Sequence, residues 1–291
     1  MIDAQNKTTT LYSYQNGIGA NTETILSRTL RHILYDDEYV EEGGDNFKSS
    51  ISSLFSSSEK GFAYDFSDIS TMWQDTAGTT AVTAVDQLVA RVDDLSGNSN
   101  HLIQSTSGSR PVLKQDGKGY YLQFDGTNDF MQTSGTVNLS GLSLFTAFAS
   151  LSKERNVAEI IFETSENYNN NSGAMLLNFD TNKITVVTRG AGTYPSGYAS
   201  VDVATTTGGV FTTQANLVAV SNKITTFRKD GVSQTMTGRI DDTSQTLTNQ
   251  TLYVGTRAGI AIYLQTKFRA LVFVGKTATT TDMERLENLL I

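Results

Sequence analysis

From about Gly61 onward the chain is divided into short apolar runs separated by turn clusters, among them GYYLQFDG, LSLFTAFASL, AEIIFE, AMLLNFD, KITVVTR, NLVAVS, ITTFRKDG, TLYVGT and KFRALVFVG. Successive side chains of a strand point to opposite faces, so an alternating run can offer one face to a core. Runs this short and this frequent leave packed antiparallel sheets as the solution. In ALVFVG and LVAVS nearly every residue is apolar, which predicts strands covered on both faces. Asp230-Gly231 in KITTFRKDGVSQTM is a hairpin-turn signal. Composition agrees: only 18% of residues are charged and only two, Pro111 and Pro195, are proline, while Thr, Ser, Asn and Gly abound. Threonine suits a pleated, half-wet surface. The chain closes differently, with TATTTDMERLENLLI, where Thr281 is read as a helix start and Met283, Leu286, Leu289 and Leu290 as its apolar stripe. The expectation is a sandwich of about ten strands in two sheets with one short C-terminal helix.

Residues 1–60 have another texture. TETILSRTLRHILY, Thr22 to Tyr35, places Ile25, Leu26, Leu30, Ile33 and Leu34 on one helical stripe, with Asn21 as N-cap. The acidic DDEYVEEGGD follows, then a serine-rich piece from Ser49 to Ser58 interrupted by Ile51, Leu54 and Phe55. A helix beside a polar linker cannot bury its own stripe, so residues 1–60 are read as an anchoring or assembly arm that docks on another protein. The alternative folds this helix back onto its own domain. The sandwich is then residues 61–291.

Net charge and residue inventory narrow the function classes. A formal charge of −8 and a pI near 4.8 argue against nucleic-acid binding, which needs clustered Lys and Arg. With no cysteine there is no disulfide framework, thiolate metal site or cysteine nucleophile. The opening MIDAQNKTTT lacks the basic-then-apolar layout of a secretory signal, and the longest apolar runs fall far short of a membrane helix. The expectation is a soluble product made in the cytoplasm, without membrane insertion.

Several segments taken together resemble a known family. Gly61 to Pro111, with its WQDTAGTT, DLSGNSNH and RPVL segments, is similar to the opening of a domain that recurs in tailed-bacteriophage virion proteins. YYLQFDGTNDFM resembles the FDGxxDY signature of laminin-G-like, concanavalin A-like jelly rolls. Leu252 to Leu290 resembles the closing strand pair and helix of the same domain. The resemblance spans most of 61–291 and implies an all-β jelly-roll sandwich. It implies less about function, because this fold serves lectins, glycanases and structural modules. Residues 1–60 match nothing in that family, as expected of an anchor that differs between phages.

Each candidate for chemistry has a structural counterpart. In EIIFE, period-two geometry puts Glu159 and Glu163 on one strand face, the arrangement of a glycosidase pair. Concanavalin A-like glycanases carry a central acid in an E-x-D-x-E motif where this chain has Ile161, however, and Ala158, Ile160 and Phe162 are expected to face the core, so a solvated strand face is the preferred reading. His32 and His101, the only histidines, are read as a docking-helix residue and a hydrogen-bonding loop residue. Asp125, Asn128 and Asp129 in one loop, and Asp93 with Asp94 in another, are the candidate calcium ligands. D-G-T-N-D lacks the alternating ligand spacing of calcium loops, however, so turn chemistry around Gly126 is the preferred reading. Trp73 is read as core or lid packing. The loops SENYNNNSG and RGAGTYPSGY offer Tyr168, Asn169, Asn170, Arg189, Tyr194 and Tyr198 as a glycan site, or as display and subunit-contact loops.

The reading is therefore a non-enzymatic virion protein, a capsid decoration or a tail-fibre or baseplate component, that displays a lectin-like jelly roll for adhesion to a host surface or glycan. Its expected partners are other virion proteins, further copies of itself and a surface polysaccharide. No cofactor is expected, with calcium as the one candidate ion. A calcium-assisted lectin and a polysaccharide-degrading glycosidase are the alternatives.

Overall fold

The computed structural model describes residues 46–165, 175–180, 182–188, 197–202, 208–219, 221, 223–241 and 246–290. They form two antiparallel sheets packed as an all-β jelly-roll sandwich. The eight-stranded sheet runs β15 (Val232–Ser233), β14 (Ile224–Lys229), β13 (Gly208–Asn216), β8 (Leu144–Ser152), β18 (Gln265–Val274), β6 (Gly119–Asp125) and β5 (Val112–Asp116), with β1 (Gly61–Asp65) also paired to β18. The ten-stranded sheet runs β16 (Thr237–Asp241), β12 (Gly197–Asp202), β11 (Lys183–Thr188), β10 (Met175–Asp180), β9 (Glu159–Thr164), β17 (Gln250–Val254), β7 (Met131–Val137), β4 (Leu102–Ile103), β3 (Arg91–Val92) and β2 (Met72–Trp73). The strands outnumber the expectation because pieces such as β2, β3, β4 and β15 are two residues long, too short to show a period.

The centre of the eight-stranded sheet is buried on both faces. Its inner face sends Phe62, Tyr64, Phe145, Phe268 and Phe273 into the main core, where Phe273 stacks on Phe62 at 5.3 Å and Phe145 at 5.0 Å. From the other sheet, Phe162 meets Phe62 edge-on at 5.9 Å. The outer face presents Ala63, Phe148, Val272 and Val274, and two helices cover it: α1 (Phe47–Leu54) through Ile51 and Leu54, and α2 (Thr280–Leu290) through Met283 and Leu286. The apolar run ALVFVG is thus explained by a second layer. Leu217 to Ala219 of LVAVS is not strand: β13 ends at Asn216, whose side chain accepts from Val218 N, while the buried Lys223 ammonium donates to the carbonyls of Leu217 and Ala219. A run of apolar residues over a lysine-held turn looks the same in sequence as a buried strand.

The serine-rich piece is also more ordered than a linker. Asn46 accepts from Ser49 N and Ser49 Oγ accepts from Asn46 N, a reciprocal cap that starts α1. Ile51, Leu54 and Phe55 then share one buried face. The helix stripe Ile25, Leu26, Leu30, Ile33 and Leu34, and His32 with it, lie outside the described residues. At the other end, Thr279 rather than Thr281 caps α2: its Oγ accepts from Asp282 N, and its own N–H donates to the Asp282 carboxylate. Leu289 is 39% exposed, and its place against the sheet is taken by Glu287, which forms a buried two-pronged pair with Arg228 of β14 at 3.0 and 2.9 Å. Asp230-Gly231 makes the expected hairpin turn, both residues with positive φ.

Removing one member of a buried ion pair strands the other charge. Glu287→Ala is expected to lower unfolding free energy by about 3–5 kcal/mol in denaturant titrations, against about 0.5 kcal/mol or less for Leu289→Ala.

Candidate functional site

The outer face of the ten-stranded sheet carries a transverse row of side chains that sequence order conceals. Directly paired residues in neighbouring strands share a face. Trp73 pairs with Arg91, Arg91 with Ile103, and Ile103 with Gln132. Gln132 in turn pairs with Tyr253, and Tyr253 with Glu163. The residues that flank this row, Met72, Val92 and Leu102 on one side and Met131, Val254 and Phe162 on the other, are fully buried core, so the row itself points away from the core. Trp73, Arg91, Ile103, Gln132 and Tyr253 are half-buried and Glu163 is buried. The ladder continues in register through Leu176, Val187, Tyr198 and Ile240.

Polar contacts fix both parts of the row. Asp93 accepts from the Trp73 indole at 2.8 Å through one oxygen, and the Arg91 guanidinium lies 2.7 Å from the other. At the far end Arg257 lies 3.6 Å from the Glu163 carboxylate. Arg257 sits in the loop 255–264, closed by Arg257 N–H to Ala261 O and Leu264 N–H to Gly255 O. Ala258 and Ile262 hold positive φ there, a costly conformation for a branched side chain. Ile262 is kept in it by packing on Ile160 and Val187. Arg155 pins the same loop from below, donating to the carbonyls of Tyr263 and Gly126 and to Glu159, whose carboxylate also accepts from Gln265 N.

Glu159 and Glu163 do not share a solvated face. A register shift in the β9–β10 ladder breaks the alternation, so Ile161 and Phe162 both reach the main core and Ile160 joins a separate cluster. Glu159 is paired with the core residue Phe179 and Glu163 with Tyr253, and neither is exposed. Burial pushes the Glu159 carboxyl up, against the opposing pull of Gln265 N–H and Arg155.

The candidate calcium residues form a turn. One oxygen of Asp125 accepts from the N–H groups of Thr127, Asn128 and Asp129, and Asp129 accepts from Asp125 N. The Asn128 amide donates to Gly108 O. A Cβ on Gly126, at φ +73°, would lie 2.8 Å from the Arg155 guanidinium, so glycine is required twice over. Calcium needs six to eight converging oxygens, and these do not fit it. Among the described residues no group of three or more His, Asp or Glu could hold a metal. Asp94 is likewise engaged, by Ala63 N, Ser96 N and Asn100 N, and His101 accepts from Asp94 N. The family-like loops therefore fasten the sandwich. Of the glycan-loop candidates, Tyr168, Asn169, Asn170, Arg189 and Tyr194 lie outside the described residues. Tyr198 is placed by its backbone alone, opposite Val187 in β12. Sequence reading missed Tyr253, Arg257 and Gln132, and read Trp73 as packing. The alternation of Leu252, Tyr253 and Val254 was visible, but not which strands lie beside it.

Burial, reinforced by the Asp125 charge, raises the Asp129 carboxyl to about 7. Burial would also raise Asp125, but the three backbone N–H groups outweigh it and hold that carboxyl low. A raised carboxyl stabilises the fold below its ordinary value of 3.8, and this contribution is lost as pH climbs through about 7. Asp129→Asn keeps an acceptor for Asp125 N, so its melting temperature is expected to fall less than that of the parent between about pH 4 and about pH 8. Equal slopes would contradict the assignment.

No family model and no curated protein matches the chain. Solved structures resemble its fold. A botulinum neurotoxin serotype D ligand-binding domain in complex with N-acetylneuraminic acid aligns at TM-score 0.52 and 12% identity, over 82% of this chain and 52% of that one. A receptor-binding domain aligns at TM-score 0.54 and 11% identity, over 82% and 53%. A botulinum neurotoxin type C structure concerned with interaction with two ganglioside molecules aligns at 0.50 and 12%, over 71% and 51%. The chain spans about half the length of these structures. At such identities the likeness establishes the β-sandwich fold.

Proposed function

We propose that this chain is a non-enzymatic surface component of a tailed-bacteriophage particle, whose sandwich recognises carbohydrate on the outer face of its ten-stranded sheet. The observation that carries the recognition half is the row from Trp73 to Glu163: aromatic rings, a primary amide and guanidinium–carboxylate pairs aligned on one half-exposed face. Aromatic platforms with a few planar polar groups are what a sugar requires, an apolar face beside a ring of hydroxyls. The neurotoxin ligand-binding domain solved with N-acetylneuraminic acid shares this sandwich over about half of its length. The virion half rests on the resemblance of Gly61 to Pro111 and of YYLQFDGTNDFM to phage jelly-roll domains. It also brings the expectation of a symmetric homo-oligomer within the particle.

A hydrolase reading is disfavoured by the two glutamates of β9. A glycosidase needs two carboxylates flanking one bond. Glu159 is bonded on the core side by Arg155 and Gln265, while Glu163 stands beside Tyr253 on the outer face. A calcium-assisted lectin is disfavoured by the turn that occupies Asp125 and Asp129.

Attachment is assigned to the segment before α1. The unit that holds the sandwich begins at Asp45, and a cut at residue 60 would remove α1 from it. A chain lacking residues 1–44 is expected to keep the melting temperature of the sandwich and to be missing from purified particles in an infection supplied only with that form. Normal incorporation of the shortened chain would sink the attachment reading.

A further inference from the structure

We infer that the row takes a single uncharged polysaccharide chain, laid across the strands and stacked on Trp73 at one point and Tyr253 at another. This rests on the carbohydrate-recognition reading and specifies the ligand. Trp73 and Tyr253 are separated by four strand steps, through β3, β4 and β7 to β17. At the usual inter-strand spacing that is roughly 19 Å. One terminal sugar cannot reach both rings, whereas an extended run of several can. Between them Gln132 supplies an amide able to donate and accept, the pairing that sugar hydroxyls match. The Trp73 ring is held by its bond to Asp93, so little freedom is lost when a sugar stacks on it.

Charge decides between neutral and acidic polymers. Among the described residues, the two guanidinium groups at the row each have a carboxylate beside them, Arg91 with Asp93 and Arg257 with Glu163. The row therefore presents balanced charge on a chain of net −8. An acidic polymer would meet long-range repulsion and two arginines already engaged, while a neutral one loses nothing to either. The paired guanidinium groups keep N–H donors fixed in direction, which serves hydroxyl oxygens without ionic attraction.

Isothermal titration of the full chain against a neutral β-glucan, its oligomers of increasing length, the free monosaccharide and alginate tests this. The expected result is affinity that climbs with oligomer length, no signal with the monosaccharide or alginate, and little change between low and high salt. Tyr253→Ala and Gln132→Ala are each expected to weaken polymer binding about tenfold. Trp73→Phe, which keeps a ring, is expected to weaken it less than Trp73→Ala, and Leu289→Ala not at all. Matched melting temperatures separate these effects from misfolding. Tight binding of the monosaccharide or of alginate, or polymer binding unchanged in both Tyr253→Ala and Trp73→Ala, overturns the inference while leaving carbohydrate recognition standing. Silence toward every glycan overturns both.

Discussion

The contact between Phe162 of one sheet and the stacked Phe62 and Phe273 of the other fixes more of this molecule than any other. It joins the two sheets at the centre of the core, and in doing so sets the parity of β9. With Phe162 inward beside Val254, Glu163 and Tyr253 must be outward. Because β7 and β4 are in register with β17, the same decision passes along the ladder to Gln132, Ile103, Arg91 and Trp73. A core contact thus determines which residues the outer face can offer. On the opposite sheet, β18 propagates a similar constraint, with Phe273 inward and Val272 and Val274 outward under the two helices.

The polar apparatus around this core is structural to a degree that its composition hides. Acidic and amide residues in the family-like loops engage backbone: Asp94 and Asn100 fasten the start of β1, Asp125 closes the FDGTND turn, and Asn98 donates to Glu59 O and Gly61 O. Gly61 must be glycine, because a Cβ there would lie 2.0 Å from the carbonyl of Phe273. Arg155 is the joint between regions, holding the FDGTND turn and the loop that carries Arg257 with one guanidinium. A surface that binds must be held by residues that do not, and these motifs supply that support.

Fold class was legible in sequence because period-two alternation and turn chemistry are local. The DG hairpin, the C-terminal helix and the two-face burial of ALVFVG all follow from residues within a few positions of one another. Where the reading missed, the cause was non-local or a matter of parity. The shift in the β9–β10 ladder changed the faces of Glu159 and Ile160, which no alternation rule anticipates. Leu217 to Ala219 is held out of the strand by a buried lysine outside the local pattern. The candidate face combines six strands far apart in sequence, so its members could not be assembled without the pairing. The row is assembled from residues that look ordinary one at a time.

Trp73, the single tryptophan of the chain, lies in the row and reports on it directly. The most direct measurement is its fluorescence during titration with a neutral polysaccharide, combined with acrylamide quenching. The account predicts a saturable change in emission and reduced quenching as the polymer covers the ring. Polymer binding detected by another method with unchanged Trp73 emission and quenching would contradict it.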